Sequence, residues 1–245
     1  MAVGAALIAA FVGHALRASH PLLDVRLFAD RVFAASSAAM ALFAATMFAV
    51  MLLFPLYEQA ARGLSALDAG LLMAPQGLAA MVAMPVAGKL TDMRGPRTLV
   101  LIGVAATVLG TIAFTQVSAD SSQALLAVSL VPRGIGMGFI MAPLMAAAYR
   151  TLSTEAVARA TPTMNIVMRV GGAVGTAVFA VLLQHELGSA APGTGAAHAF
   201  GATFWWNLGA TALVALPALA LPRDAARAPA PAPAAAPPGA VPAPA

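Results

Sequence analysis

Six apolar stretches, each about as long as a helix that crosses a bilayer, constrain this chain more than any other feature. They cover residues 32–56, 69–88, 99–117, 125–149, 166–183 and 200–221. A hydrocarbon core about 30 Å thick takes about 20 helical residues per crossing. Backbone inside it must satisfy its own hydrogen bonds, which leaves helices or a closed barrel. Ala, Leu, Met and Gly dominate these stretches, and none alternates polar with apolar, so they read as helices. The chain is 61% hydrophobic over 245 residues, with a mean hydropathy of +0.88. A soluble domain of that length could not bury so much apolar side chain. The expected fold is all-α and integral to a membrane, with a six-helix transmembrane bundle over residues 32–221.

The flanks differ. Residues 1–16 are apolar but would span only about 24 Å as a helix. They lack a positive leading region and a clear cleavage site, so they read as the end of a truncated transmembrane helix rather than a signal peptide. Residues 17–31, with Pro21, Asp24, Arg26 and Asp30, form a polar connector. Residues 222–245 are almost entirely Ala and Pro. Such a segment cannot bury a core, and a disordered, polyproline-like tail is expected.

Charge separates the two sides of the membrane. With six crossings, Arg17, Arg26, Arg31, Lys89, Arg94, Arg97, Arg150, Arg159, Arg223 and Arg227 fall on one side and Arg62 on the other. The positive-inside rule places the first side, with the connector 17–31 and the tail, in the cytoplasm. The expected location is the cell inner membrane, multi-pass, with a cytoplasmic C-terminal tail. Trp205 and Trp206 then sit at the outer interface. The pI near 10.7 therefore reflects cytoplasmic loops. Nucleic acid is not an expected partner, because no basic run is interleaved with aromatics. Cysteine is absent, which excludes disulfides and thiolate metal sites. His14, His20, His185 and His198 lack metal-ligand spacing, and no Ser/His/Asp set shares a depth. No metal, cofactor or enzymatic activity is expected.

The segment from Gly88 to Arg97, GKLTDMRGPR, interrupts the apolar pattern. Four of its ten residues are ionised, in a chain with 9% charged residues. Gly88 and Gly95 would let a tight turn form where two helices leave the membrane together. Asp92 would accept hydrogen bonds from free N–H groups at the start of the next helix, whose positive dipole end favours a carboxylate. Arg94 and Arg97 lie within reach of it. A polar hairpin turn carrying positive charge explains any one of these residues and explains their combined spacing poorly.

The pattern G-x-L-x-D-x-x-G-x-R resembles the signature loop of the major facilitator superfamily of transporters. From about Pro21 to Leu187 the chain resembles the second half of its fourteen-helix drug:proton antiporter branch (EmrB/QacA type). The stretches that carry the resemblance are PLLDVRLF from Pro21, PLY from Pro55, AGLLMAPQGL from Ala69, RGIGMG from Arg133 and RVGGAVG from Arg169. The resemblance implies the C-terminal half of a major facilitator fold, with helices nine to fourteen in the six stretches and the end of helix eight in residues 1–16. It implies the C-terminal half of a proton-driven multidrug efflux transporter, incomplete by itself. The implied partners are the lipid bilayer, a complementary transporter half or a second copy, a small amphipathic substrate and a proton.

Arg133 lies inside an apolar stretch, where an arginine is costly and faces protein or water. It matches by resemblance an arginine tied to substrate or proton handling; snorkelling to the outer interface or structural pairing is the alternative. Gln76, mid-span, is a candidate cavity group or an interhelical hydrogen-bonding group. Arg169, expected near the cytoplasmic end of its span, can snorkel to the headgroups. Gly134, Gly136 and Gly138 follow no strand, so they are no dinucleotide fingerprint. With Gly171, Gly172 and Gly175 they are helix-packing candidates, because small residues let backbones approach. Methionine, with 13 residues, suits a flexible lining or plain packing.

No acidic residue is expected in the membrane interior: Asp92 is assigned to the loop, and Glu58, Asp68, Asp120 and Glu186 to outer ends. Proton coupling normally uses a buried carboxylate or histidine, and alternating access rocks one six-helix half against another. The alternative function is therefore a non-transporting membrane remnant or a self-associating scaffold. The topology is testable by thiol labelling in intact cells. Arg94→Cys and Ala230→Cys should be shielded from an impermeant reagent and Gly193→Cys labelled; labelling at Ala230→Cys but not at Gly193→Cys would reverse the orientation.

Overall fold

The computed structural model describes residues 25–60, 62–117, 122–189 and 195–223. The expected helix end at 1–16, most of the connector 17–31 and nearly all of the tail lie outside the described residues. A 3-10 turn at Val25–Ala29 leads into α1 (Arg31–Ala60). Asp30 opens α1 by accepting the Phe33 N–H at 2.8 Å, the usual service of a carboxylate at a helix start. The chain leaves α1 through Gly63, at φ +68°, and Ser65 starts α2 (Ala66–Leu72) by accepting the Asp68 N–H. α3 (Ala74–Arg94) follows at once, with Pro at its first turn. α4 is Pro96–Thr115, α5 Gln123–Arg150 and α6 Thr154–Ser189. α7 (Gly195–Leu213) and the short α8 (Ala215–Ala218) close the bundle.

Six spans are long and apolar enough to cross a membrane, α2 with α3 making one and α7 with α8 another. No strand occurs among the described residues. The second span is broken at Met73, where Pro75 brings no N–H to a continuous helix. The fifth begins at Thr154, a dozen residues before the expected start at 166, so Arg159 is helical rather than part of a connector. Ser153 accepts the Ala156 N–H at 3.3 Å, and Glu155 stands in the first turn. These are ordinary start signals for a helix that begins outside the lipid.

In lipid, apolar helices gain little from burying apolar area against one another, and close packing of small residues holds them together. α5 lies between α3 and α4, α1 packs on α5 and α6, and α7 packs against α4, α1 and α6. On one face of α5, a Cβ at Gly136 would strike Thr107 Oγ1 and stand 2.6 Å from the Gly103 carbonyl oxygen of α4. Gly110 of α4 meets the Ser129 carbonyl and the Arg133 backbone with the same intimacy. On another face, Gly134 abuts the Gln76 carbonyl of α3, and Gly138 abuts Ala83. Gly171 and Gly175 of α6, one turn apart, lie against the backbone of Ala41 and Ala45 in α1, and Gly172 lies against the Phe48 ring.

Larger side chains fill the two ends. Met40, Phe43, Val100, Leu144 and Met164 belong to one cluster, and Phe54, Tyr57, Phe114, Phe200 and Phe204 to the other. Phe54 meets Phe114 edge-on, with centroids 5.5 Å apart, and Tyr57 meets Phe200 at 5.6 Å. Burial is unequal: half of the apolar window of α1 is buried, but only 11% of the window spanning α2 and α3. Gly175→Val should wedge α6 from α1 and cost about 1–3 kcal/mol of stability in detergent. Gly77→Ala, with nothing within 4 Å, should leave stability within about 1 kcal/mol or raise it. Thermal unfolding of the two variants side by side checks this.

Candidate functional site

The charged segment between the second and third spans is mostly helix. α3 continues through Arg94, so Gly88, Lys89 and Asp92 are helical, and Gly88 has open space around it. The expected loop contracts to Gly95. Its φ of +79° is a conformation L side chains rarely adopt. Its N–H donates to the Thr91 carbonyl at 3.0 Å, closing α3, and Pro96 opens α4, where a missing N–H is harmless. The expectation that Asp92 caps the next helix is corrected: the α4 N-terminus receives no side-chain hydrogen bond. Asp92 is exposed on the last turns of α3, and helical Cβ vectors there point back toward the start of α3, away from α4. Arg94 is exposed and Arg97 half-buried.

Arg133 is 2% exposed, so it neither snorkels nor lies on an open inner face. Its Nη1 donates to Thr111 Oγ1 at 2.5 Å, and its Nε is buried without a partner. Thr111 in turn donates to the Thr107 carbonyl at 2.7 Å, and Thr107 to the Gly103 carbonyl at 2.8 Å. Both threonines are buried. The arginine is thus clamped in the α4/α5 seam, where Gly110 of α4 lets the Arg133 backbone and Cβ come close. Thr111 was missed from sequence. The signal was there: Thr107, Thr111 and Thr115 recur every four residues and share one face of α4.

Gln76 sits in the other seam of α5. Its Nε2 donates to Met137 Sδ at 3.2 Å, and its Oε1 is buried and unpaired. Arg133 and Gln76 have different hydrogen-bond partners, Thr111 of α4 and Met137 of α5, and Met137 stands one turn after Arg133 on α5. Between α1, α5 and α6 a cavity of about 20 Å³ is lined by Met40, Met141, Met145, Met164, Asn165 and Met168. Two of these sulfurs accept hydrogen bonds, Met164 from Ser37 and Met145 from Tyr149.

Arg169 lies three residues past the start of the apolar stretch expected at 166, in a helix that begins earlier, at Thr154. It lies about four turns into α6, and its near neighbour Gly171 packs against Ala41, itself about three turns inside α1. Arg169 is exposed, on a helix whose Val170, Val174, Val178 and Val181 are exposed as well. Glu58, expected in a solvated connector, is instead in the last turn of α1 and 0% exposed. Arg62 Nη1 approaches its Oε2 at 3.5 Å, and neither carboxylate oxygen makes a hydrogen bond. No group of His, Cys, Asp or Glu among the described residues could hold a metal ion.

Residues 3–176 match the family model of the Major Facilitator Superfamily. A multidrug resistance protein B homolog of Mycobacterium tuberculosis is 41% identical over 186 residues, which is 75% of this chain and 34% of that protein. An uncharacterized MFS-type transporter of Bacillus subtilis is 32% identical, covering 75% of this chain and 35% of its own length. A lincomycin resistance protein of Listeria monocytogenes is 29% identical, covering 74% and 39%. The chain spans about a third of the length of the curated relatives it matches.

The Arg133 clamp can be tested by stability. Thr111→Val keeps the shape but removes the oxygen that receives a buried guanidinium, and should cost about 1–3 kcal/mol. Thr111→Ser, which keeps the oxygen, should cost distinctly less. Unfolding of the purified protein in detergent separates the two, and equal losses would show that the hydrogen bond contributes nothing.

Proposed function

Since the chain belongs to the major facilitator superfamily, we propose that its six-helix bundle is the C-terminal half of a fourteen-helix multidrug efflux transporter, driven by protons and incomplete without a second half. The observation that carries this reading is Arg169 on the exposed face of α6. A guanidinium inside a span, turned to lipid, costs up to about 3 kcal/mol at mid-helix and less toward the ends. Turned to a partner half or to a water-filled cavity it costs little, and that is where intramembrane charges are found. Two rocking halves around a midplane site supply both.

On this reading the Gly95 turn, with Asp92, Arg94 and Arg97 around it, forms part of the cytoplasmic face. Gly134, Gly138, Gly171, Gly172 and Gly175 set helix spacing, and Arg133 and Gln76 lie in seams beside the substrate or proton pathway. Substrates are small amphipathic molecules. The protein sits in the inner membrane with the chain beyond Arg223 in the cytoplasm, as the arginine distribution supports. The names of the relatives, multidrug and lincomycin resistance proteins, agree with efflux.

Dye efflux from cells lacking their own pumps is the test. The chain alone should give none, and the chain expressed with a complementary half should give efflux that a protonophore abolishes. Gradient-dependent efflux by the chain alone would overturn the need for a second half and favour a homodimer. No efflux with any complementary half, despite verified insertion, would favour the non-transporting remnant or scaffold.

A further inference from the structure

A groove of about 560 Å³ lies at the arginine-rich end of the bundle, lined by Arg97, Thr98, Leu101, Ile102, Ala105 and Arg223. Arg97 and Thr98 stand on the first turn of α4, and Arg223 arrives from the chain after α8. Leu101, Ile102 and Ala105 continue one or two turns deeper along α4. The groove therefore has a cationic mouth and an apolar wall that runs into the span. No carboxylate lines it. Neither guanidinium has an ion-pair partner among the described residues, and Asp224 lies outside them.

Two like charges at one mouth repel each other and attract an anion. The depth narrows which anion. α4 enters its membrane-length stretch at Pro96, so the mouth stands at headgroup level. Arginine forks match phosphate oxygens bidentately, and basic pockets between helices on the cytoplasmic side take anionic headgroups. A free phosphate would occupy the mouth and leave the apolar wall unused, whereas a lipid uses both. We propose that this groove binds one anionic phospholipid, with its phosphate between Arg97 and Arg223 and an acyl chain along Leu101, Ile102 and Ala105. The lipid would tie the start of the third span to the end of the sixth, independently of any second half.

The test counts bound lipid by native mass spectrometry on the purified chain, offered phosphatidylglycerol or phosphatidylcholine at equal concentration. Phosphatidylglycerol should be retained in preference, one per chain. Arg97→Gln and Arg223→Gln should each lower its retention about fivefold, with Arg97→Lys restoring most of it. Lys89→Gln, the same charge change outside the groove, should leave retention as it was. Equal retention of the two lipids, or an equal loss in Lys89→Gln, overturns the site. Displacement by equimolar glycerol 1-phosphate overturns the lipid assignment and leaves a free-phosphate site.

Discussion

The fold depends on backbone touching backbone along α5. A helix in lipid has no water to flee when it meets another helix, so the attraction must come from contact at short range. α5 provides it on two faces at once. Gly136 opens it to Gly103 and Thr107 of α4, while Gly134 and Gly138 open it to Gln76 and Ala83 of α3. Glycines two residues apart on a helix face different directions, so the run RGIGMG serves two seams with three residues. α6 repeats the device with Gly171 and Gly175 against Ala41 and Ala45. With backbones this close, any Cβ at these positions has to displace main chain, and main chain cannot rotate away.

The same closeness is what lets a charged residue live in the interior. Arg133 emerges from the α4/α5 seam beside Gly110, and the hydroxyl that receives it, that of Thr111, is already held by an α4 carbonyl. Thr111 accepts from the guanidinium while donating to Thr107, so its oxygen is oriented before the arginine arrives. One hydrogen bond does not saturate a guanidinium with five donors, and the buried Nε keeps unused capacity. Glu58 has the complementary deficit, two buried oxygens facing a single arginine contact. Buried groups of this kind are costly, and Ser36, Gln76 and Asn207 also carry buried polar atoms without a partner.

The spans were legible in the sequence because bilayer thickness imposes their length, and the helical class followed from the backbone's need for internal partners. What lay outside the lipid was less legible. The start of α6 at Thr154 was hidden because an apolar window registers only the stretch inside the hydrocarbon, while Ser153 and Glu155 begin the helix earlier. Gly88 and Gly95 look alike as letters. Between them KLTDMR is adequate helix, so only the glycine followed by Pro96 becomes the turn, and Asp92 loses its expected role as a cap with it. Arg133 was recognisable as an interior charge, but its partner was not: Thr111 is 22 residues away on another helix, and register between helices is set by packing. The positive charge along one end was readable residue by residue. That Arg97 and Arg223 share one groove was not, because it depends on where the sixth span returns.

Exposed apolar surface means less in a bilayer than in water, since lipid covers Leu and Val as well as protein does. α3 shows this. Its outer face carries Leu78, Met81 and Val82, all exposed, and such a face is at ease against acyl chains. α6 is different. Its valine stripe would suit lipid equally well, but Arg169 shares that exposed side. Moving a charge from lipid to a protein or water-filled surface recovers a few kcal/mol, whereas moving Val170 or Val174 recovers almost nothing. On the reading proposed above, a second half would therefore find its energetic advantage at α6 before α3, and the polar residues rather than the apolar ones would decide which face it covers.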